Sequence, residues 1–229
     1  PEPIILLPNS DATSVSIEPN EHLYAVIING CDWERYWNDI SAIYCTLIDK
    51  YGFTKDNIIV HYVNGPGTSA FGDDLDGPQV ISADIDYNAY KTTIQATFQN
   101  LKLDPDDQLF VFVDDHGEGD GIGNSWICLP GDDLYDFELA EFIKDINCAQ
   151  MTFVMEQCYS GGFADDLSDY EKYNVQCKNR VVHTAANASE FSWAESWITR
   201  GRYDEFVFYW TAAARGFYNI RYRWDDRGT

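Results

Sequence analysis

Met151-Thr-Phe-Val-Met-Glu-Gln-Cys-Tyr-Ser-Gly-Gly162 is the stretch that decides the fold. Met151 to Met155 is a short run of mostly apolar and β-branched residues ahead of a glycine turn, the pattern of a strand buried on both faces of a parallel sheet. Cys158 then falls just past the strand's carboxyl end, the edge of an open α/β sheet where ligands bind. Gly161-Gly162 is expected to let the backbone turn tightly there without crowding a nucleophile or its substrate. Because a cysteine more often packs as a small hydrophobe, a nucleophilic role needs a partner base.

The base is offered upstream, in Asp107-Gln-Leu-Phe-Val-Phe-Val-Asp-Asp-His-Gly117. Here an apolar run, Leu109 to Val113, ends in polar residues with His116-Gly117 at its exit. The segment between, Gly119 to Gln150, is long enough for one crossover helix, which makes the two strands parallel neighbours with adjacent carboxyl ends. A thiol and an imidazole then face one cleft, as nucleophilic thiol chemistry requires.

An apolar strand ending in Asp-His-Gly, followed by one ending in Glu-x-Cys-x-Ser-Gly, resembles the caspase-like cysteine peptidases, and most closely the legumain (asparaginyl endopeptidase) family. Leu129-Pro-Gly-Asp-Asp-Leu134 and His183-Thr-Ala-Ala-Asn-Ala-Ser-Glu190 resemble legumain segments in the same order and spacing. The resemblance runs from about Leu23 to Trp210 and fades from Phe217 to Thr229. It implies an α/β fold with a caspase-like open, mostly parallel sheet flanked by helices on both faces. It implies an arm over 1–22 and a single peptidase domain over 23–229.

The activity implied is that of a cysteine endopeptidase without cofactor or metal. Cys158 would be the nucleophile and His116 the proton carrier, with the backbone N–H groups of Gly117 and Cys158 as oxyanion donors. Arg35, Glu156 and Asp204 would form a polar specificity pocket for Asn, and secondarily for Asp. Partners implied are a peptide or protein substrate and a pro-segment or inhibitor. Two departures from the family concern the pocket: Tyr36 stands where it has a histidine, and Phe191 where a pocket serine follows the glutamate. A third concerns the imidazole: Trp33 occupies the place of an asparagine that orients it, with Asn29 or Asp32 as substitutes. Rival readings are a metacaspase- or gingipain-like peptidase cutting after Lys or Arg, favoured by Arg35-Tyr-Trp-Asn-Asp39 and the acidic loops, and a catalytically silent peptide-binding homologue.

Bulk properties agree with one α/β domain: 229 residues, 45% hydrophobic and 15% aromatic. A formal net charge of −23 argues against binding to nucleic acid and to anionic membranes, whose phosphates need clustered Lys and Arg. No apolar segment approaches the roughly 20 residues that span a bilayer, so membrane insertion is not expected. The six cysteines form no C-x-x-C pair, which argues against zinc-ribbon and thioredoxin chemistry. Cysteine usage does not fix the redox compartment; a chain that starts at Pro1 rather than Met reads as a mature or trimmed form, and a secreted, periplasmic or lysosome-like compartment is slightly favoured.

Helical spacing is expected from Arg35 to Tyr51, over Tyr87, Tyr90, Ile94, Phe98 and Leu101, from Phe137 to Ile146, and over Asp204 to Ala214 with Phe206, Val207, Trp210 and Ala214 inward. Strands are expected at Leu23–Ile28, Ile58–Val63 and Arg180–Thr184, with a hairpin or rim strand at Ser125–Leu129. Asn64 to Ile85 reads as a long loop. Clustered carboxylates from Asp114 to Asp120 invite a calcium reading but lack EF-hand spacing, so a solvated acidic loop is expected. The sequon at Asn187 lies inside the Ala-Ala-Asn block, which argues against its use. His22 and His61 read as structural, and His183 as the alternative base.

Overall fold

The computed structural model describes residues 17–66, 84–194 and 202–216. The expected arm up to residue 16, the loop between 67 and 83, and the tail from 217 onward lie outside the described residues. Strands β1 (Leu23–Asn29), β2 (Ile58–Tyr62), β3 (Gln108–Asp114), β7 (Gln150–Met155) and β8 (Arg180–Thr184) form one sheet in the order β2-β1-β3-β7-β8. All four pairings are parallel. The strand order reverses direction between β1 and β3, and such a switch point opens a crevice at the carboxyl edge.

Each face of the sheet buries its own apolar layer. Alternation in β1 sends Ala25 and Ile27 to one side, against Trp37, Ile40 and Leu47 of α1 (Glu34–Tyr51) and Val207 of α5 (Glu205–Ala214). Val26 and Ile28 face the other side, with Ile94 and Phe98 of α2 (Lys91–Asn100), Leu139 and Ile143 of α3 (Asp136–Ile143), and Phe163 and Leu167 of α4 (Gly162–Ser168). The expected helices on both faces are therefore present. α1 forms because its apolar residues recur at helical spacing, and it stops where Gly52 turns left-handed (φ 79°) and donates its N–H to Leu47 O.

Some boundaries differ. Tyr87, Tyr90 and Leu101 lie outside α2, which is shorter than its apolar spacing suggests. On α5, Val207 is buried as expected, Phe206, Trp210 and Ala214 are partly buried, and Thr211 and Ala212 are also buried. α4 was not expected from the sequence, since a helix opening on Gly162 and carrying Asp165 and Asp166 lacks an amphipathic pattern of useful length. The rim hairpin is a three-stranded antiparallel sheet of β4 (Gly117–Gly119), β5 (Ser125–Ile127) and β6 (Leu134–Tyr135). Asp136 ties it to α3, its buried carboxylate accepting the N–H groups of Ser125 (2.7 Å) and Phe137 (2.8 Å). In the acidic loop, Asp120 accepts the N–H groups of Ile122, Gly123 and Asn124, which lower its pKa and turn the loop on itself.

No described helix is long and apolar enough to cross a membrane. Phe153, fully buried at the centre of β7, anchors the layer under α3 and α4. Phe153→Ala should lower unfolding free energy by about 3–5 kcal/mol in denaturant titrations. A loss below about 1 kcal/mol would mean that this layer does not carry the fold.

Candidate active site

Strand ends and helix starts converge on one cleft at the carboxyl edge. β3 leads into Asp115 and His116; β7, beside it with Val113 opposite Met155, leads into Glu156 and Cys158. α1 contributes Arg35 and Tyr36, α5 contributes Asp204 at its N-cap, and the loop after β8 supplies Phe191, Ser192 and Trp193. All of these line a cavity of about 370 Å³. A larger one, about 490 Å³, lies between α2 and α3, but its lining of Gln95, Phe98, Lys102, Glu141 and their neighbours contains no thiol or imidazole.

The loops around Cys158 are packed backbone against backbone. Gly117, next to His116, lies so close to the Cys158 carbonyl that a Cβ there would collide with it. A Cβ on Gly161 would stand 2.7 Å from the Asn187 and Ala188 backbone. Ser160 Oγ donates to Ala186 O (3.3 Å) and accepts from Ala186 N (3.1 Å), and Tyr159 N donates to Glu190 O (2.8 Å). The Ala-Ala-Asn block is thus the clamp on the cysteine loop. The reason expected for Gly161-Gly162 needs correcting: Gly161 is right-handed (φ −60°), Gly162 opens α4, and the left-handed residue is Tyr159 (φ 57°). Small size, rather than freedom of φ, is what these glycines supply.

His116 is held by aromatic side chains. Tyr36 Oη lies 3.4 Å from Nδ1, and the Trp33 and Tyr36 rings stand edge-on to the imidazole at centroid distances of 5.0 and 5.7 Å. Arg35 Nη2 donates to Tyr36 Oη at 2.6 Å, while its guanidinium lies over both rings. Neither expected substitute makes a described contact with His116: buried Asn29 spends its Oδ1 on the Cys31 N–H (2.8 Å), and Asp32 is exposed. Burial, then the Arg35 charge, lowers the His116 pKa. Burial raises that of Cys158, as do Glu156 and Asp204, against backbone hydrogen bonding at Ser192 and at Cys158 itself, which lowers it; the Sγ also lies 3.6 Å from Ser192 O. Both shifts favour the neutral form, of the imidazole and of the thiol. His183 lies on β8 outside this cavity; His61 is buried and bonded to Asn88 O (2.8 Å), and His22 pairs with Asp107 (2.8 Å).

Beneath Cys158 the cavity is polar. Arg35 Nε meets Asp204 Oδ1 at 3.3 Å, and Ser192 Oγ donates to Glu156 Oε1 at 2.5 Å. Ser192 thus places a hydroxyl in the cavity, which its neighbour Phe191 also lines. Behind them Asp39 accepts the N–H of Asp204 (3.0 Å), and Asp114 is fully buried with both oxygens lacking a donor among the described residues. Oxygens of Asp39, Asp114 and Asp204 lie within 4.8 Å of one another, a spacing from which carboxylates could hold a hard cation. Burial raises the pKa values of Asp39, Asp114, Glu156 and Asp204, and mutual repulsion raises those of the first three further. Protonation of some of these carboxyls lowers the charge that the group has to bury.

An open parallel sheet with this cleft at its carboxyl edge is the fold of the caspase-like peptidases. Sequence comparison is narrower: residues 23–212 match the Peptidase C13 family, which is the legumain family, and the chain belongs to it. It is accordingly a cysteine-type peptidase, a hydrolase whose substrates are peptides or proteins. No curated protein is similar enough in sequence to count as a match.

Buried carboxyls with raised pKa values keep protons in the folded chain that the unfolded chain releases above about pH 4, so rising pH favours unfolding. Asp114→Asn removes one such group at constant shape. It should raise the melting temperature at pH 8 by on the order of 5 °C and leave it nearly unchanged at pH 4. An equal shift at both values would show that Asp114 is not held protonated.

Proposed function

We propose that the chain is a legumain-type endopeptidase that cleaves after Asn, with Asp as a secondary site once acid has protonated it. The observation that supports this best is the lining of the cleft, where Arg35, Glu156 and Asp204 surround a space beside Cys158 and His116. A carboxamide both accepts and donates: its oxygen suits the Arg35 N–H groups not spent on Tyr36 and Asp204, and its NH₂ suits the carboxyls. A Lys ammonium would meet Arg35 and offers it no acceptor, and an ionised Asp would be repelled by Glu156 and Asp204. A pro-segment or inhibitor would occupy the same cleft.

In this mechanism the Cys158 proton passes to His116 as Sγ bonds to the scissile carbonyl carbon. The oxyanion is held by the N–H groups of Gly117 and Cys158. The imidazolium then gives its proton to the leaving amine as the C–N bond breaks, and water hydrolyses the thioester with His116 again taking a proton. Tyr36 is the positioning residue: its oxygen, which already accepts from Arg35, has a second lone pair to accept the Nδ1–H, which fixes the tautomer and leaves the Nε2 lone pair free to take the Cys158 proton. The excess of buried carboxyls over Arg35 is what favours the second reading, cleavage after Lys or Arg.

A digest of a mixed protein substrate, read by mass spectrometry, should show new carboxyl termini dominated by Asn, with Asp appearing as pH falls. Termini dominated by Lys or Arg would hand the specificity to the second reading. Cys158→Ala should abolish turnover with an unchanged melting curve, and His116→Ala should lower kcat by about 10²–10⁴-fold with little change in KM. Turnover retained by Cys158→Ala would sink the assignment. Two inert variants together with an inert parent would instead mark a silent peptide-binding homologue.

A further inference from the structure

Two buried thiols, Cys148 and Cys177, lie at corresponding places just ahead of β7 and β8. The β7–β8 ladder sets Met151 opposite Arg180 and Thr152 opposite Val181; Cys148 and Cys177 each lie three residues before the Met151–Arg180 pair, in the segments that lead into the two strands. Hydrogen bonds continue over that stretch, from Met151 N to Asn179 O (2.9 Å) and from Asn179 Nδ2 to Ala149 O (3.1 Å). Opposed residues of neighbouring strands lie about 4.8 Å apart and share a face, inside the roughly 4.4–6.8 Å that a disulfide spans between Cα atoms.

The side chains match as well. Cys148 Sγ donates to Gln150 O (3.5 Å) and Cys177 Sγ to Asn179 O (3.7 Å), each to the carbonyl two residues on, so the thiols hold the same pose side by side. Burial pushes the Cys148 thiol up to about 12, with its contact to the Cys177 thiol the next cause and the Arg180 guanidinium pulling the other way. Both thiols are free here and sit in one apolar layer, 7% and 2% exposed.

We propose that Cys148 and Cys177 form a disulfide that ties the amino-terminal ends of β7 and β8. With oxidised glutathione as oxidant, one protein thiolate attacks the glutathione disulfide and expels a first glutathione thiolate. The second protein thiolate then displaces the other glutathione, so that one S–S bond forms, one breaks, and two protons pass to the released thiolates. The closed loop contains all of β7, Cys158 and α4. The cross-link therefore fixes the frame of the cysteine loop from the far end of the sheet and leaves Cys158 as a thiol.

The test is incubation of the folded protein in glutathione redox buffers with sub-denaturing urea, which admits the reagent to buried thiols. At high oxidised fraction the intact mass should fall by two hydrogens, and a non-reducing digest should join the peptides holding Cys148 and Cys177. Cys158 should still alkylate, and the melting temperature should rise by about 5–10 °C, reversibly with dithiothreitol. A double variant, Cys148→Ser with Cys177→Ser, should lose the mass change and the shift while keeping peptidase activity. Retention of all six thiols under oxidant, or a linked peptide pair that contains Cys158 instead, would overturn the proposal.

Discussion

Because β3 and β7 are hydrogen-bonded in parallel with Val113 opposite Met155, the chain leaves both strands at one edge and in one direction. Everything chemical about the molecule follows from that pairing. The residues just beyond the last ladder pair escape the sheet's regular spacing and can face a common space. His116 and Cys158 are among the first free to do so. Their loops are then locked by the contact of Gly117 with the Cys158 carbonyl and by the Ala-Ala-Asn block folded against Gly161.

Placing charge under such a cleft carries a cost. Four buried carboxyls and one guanidinium cannot all ionise in a medium that solvates them poorly, and the raised pKa values are the form that cost takes. Arg35 is the hinge of this arrangement. Through Asp204 it connects to α5, and through Tyr36 it connects to the imidazole, so the buried carboxyls and His116 share one side chain.

Much of the fold was legible in the sequence. The β1, β3, β7 and β8 strands carry apolar runs too short for helices, and α1, α3 and α5 carry unmistakable periodicity. Cys158 and His116 were legible for a different reason, since each lies just past such a run. What escaped notice was decided by packing. α4 has no pattern to find; Tyr36 reaches His116 across 80 positions of chain; Ser192, not its neighbour Phe191, turns toward Glu156. Asp39 and Asp114 lie fully buried, which reading an aspartate as a surface residue cannot anticipate.

The close approaches of Gly117 to the Cys158 carbonyl and of Gly161 to the Asn187 and Ala188 backbone, with Gly30 against the Asp115 side chain and Gly162 against that of Ser125, mean that the floor of the cleft has no room for even a methyl group. Such a floor cannot be remodelled one substitution at a time. Any drift in what the enzyme accepts has to come from its rim, where Phe191 and Trp193 are exposed and meet no such obstruction. The molecule thus separates an inflexible reaction frame from an adaptable collar, and a library confined to the collar is the economical route to altered selectivity.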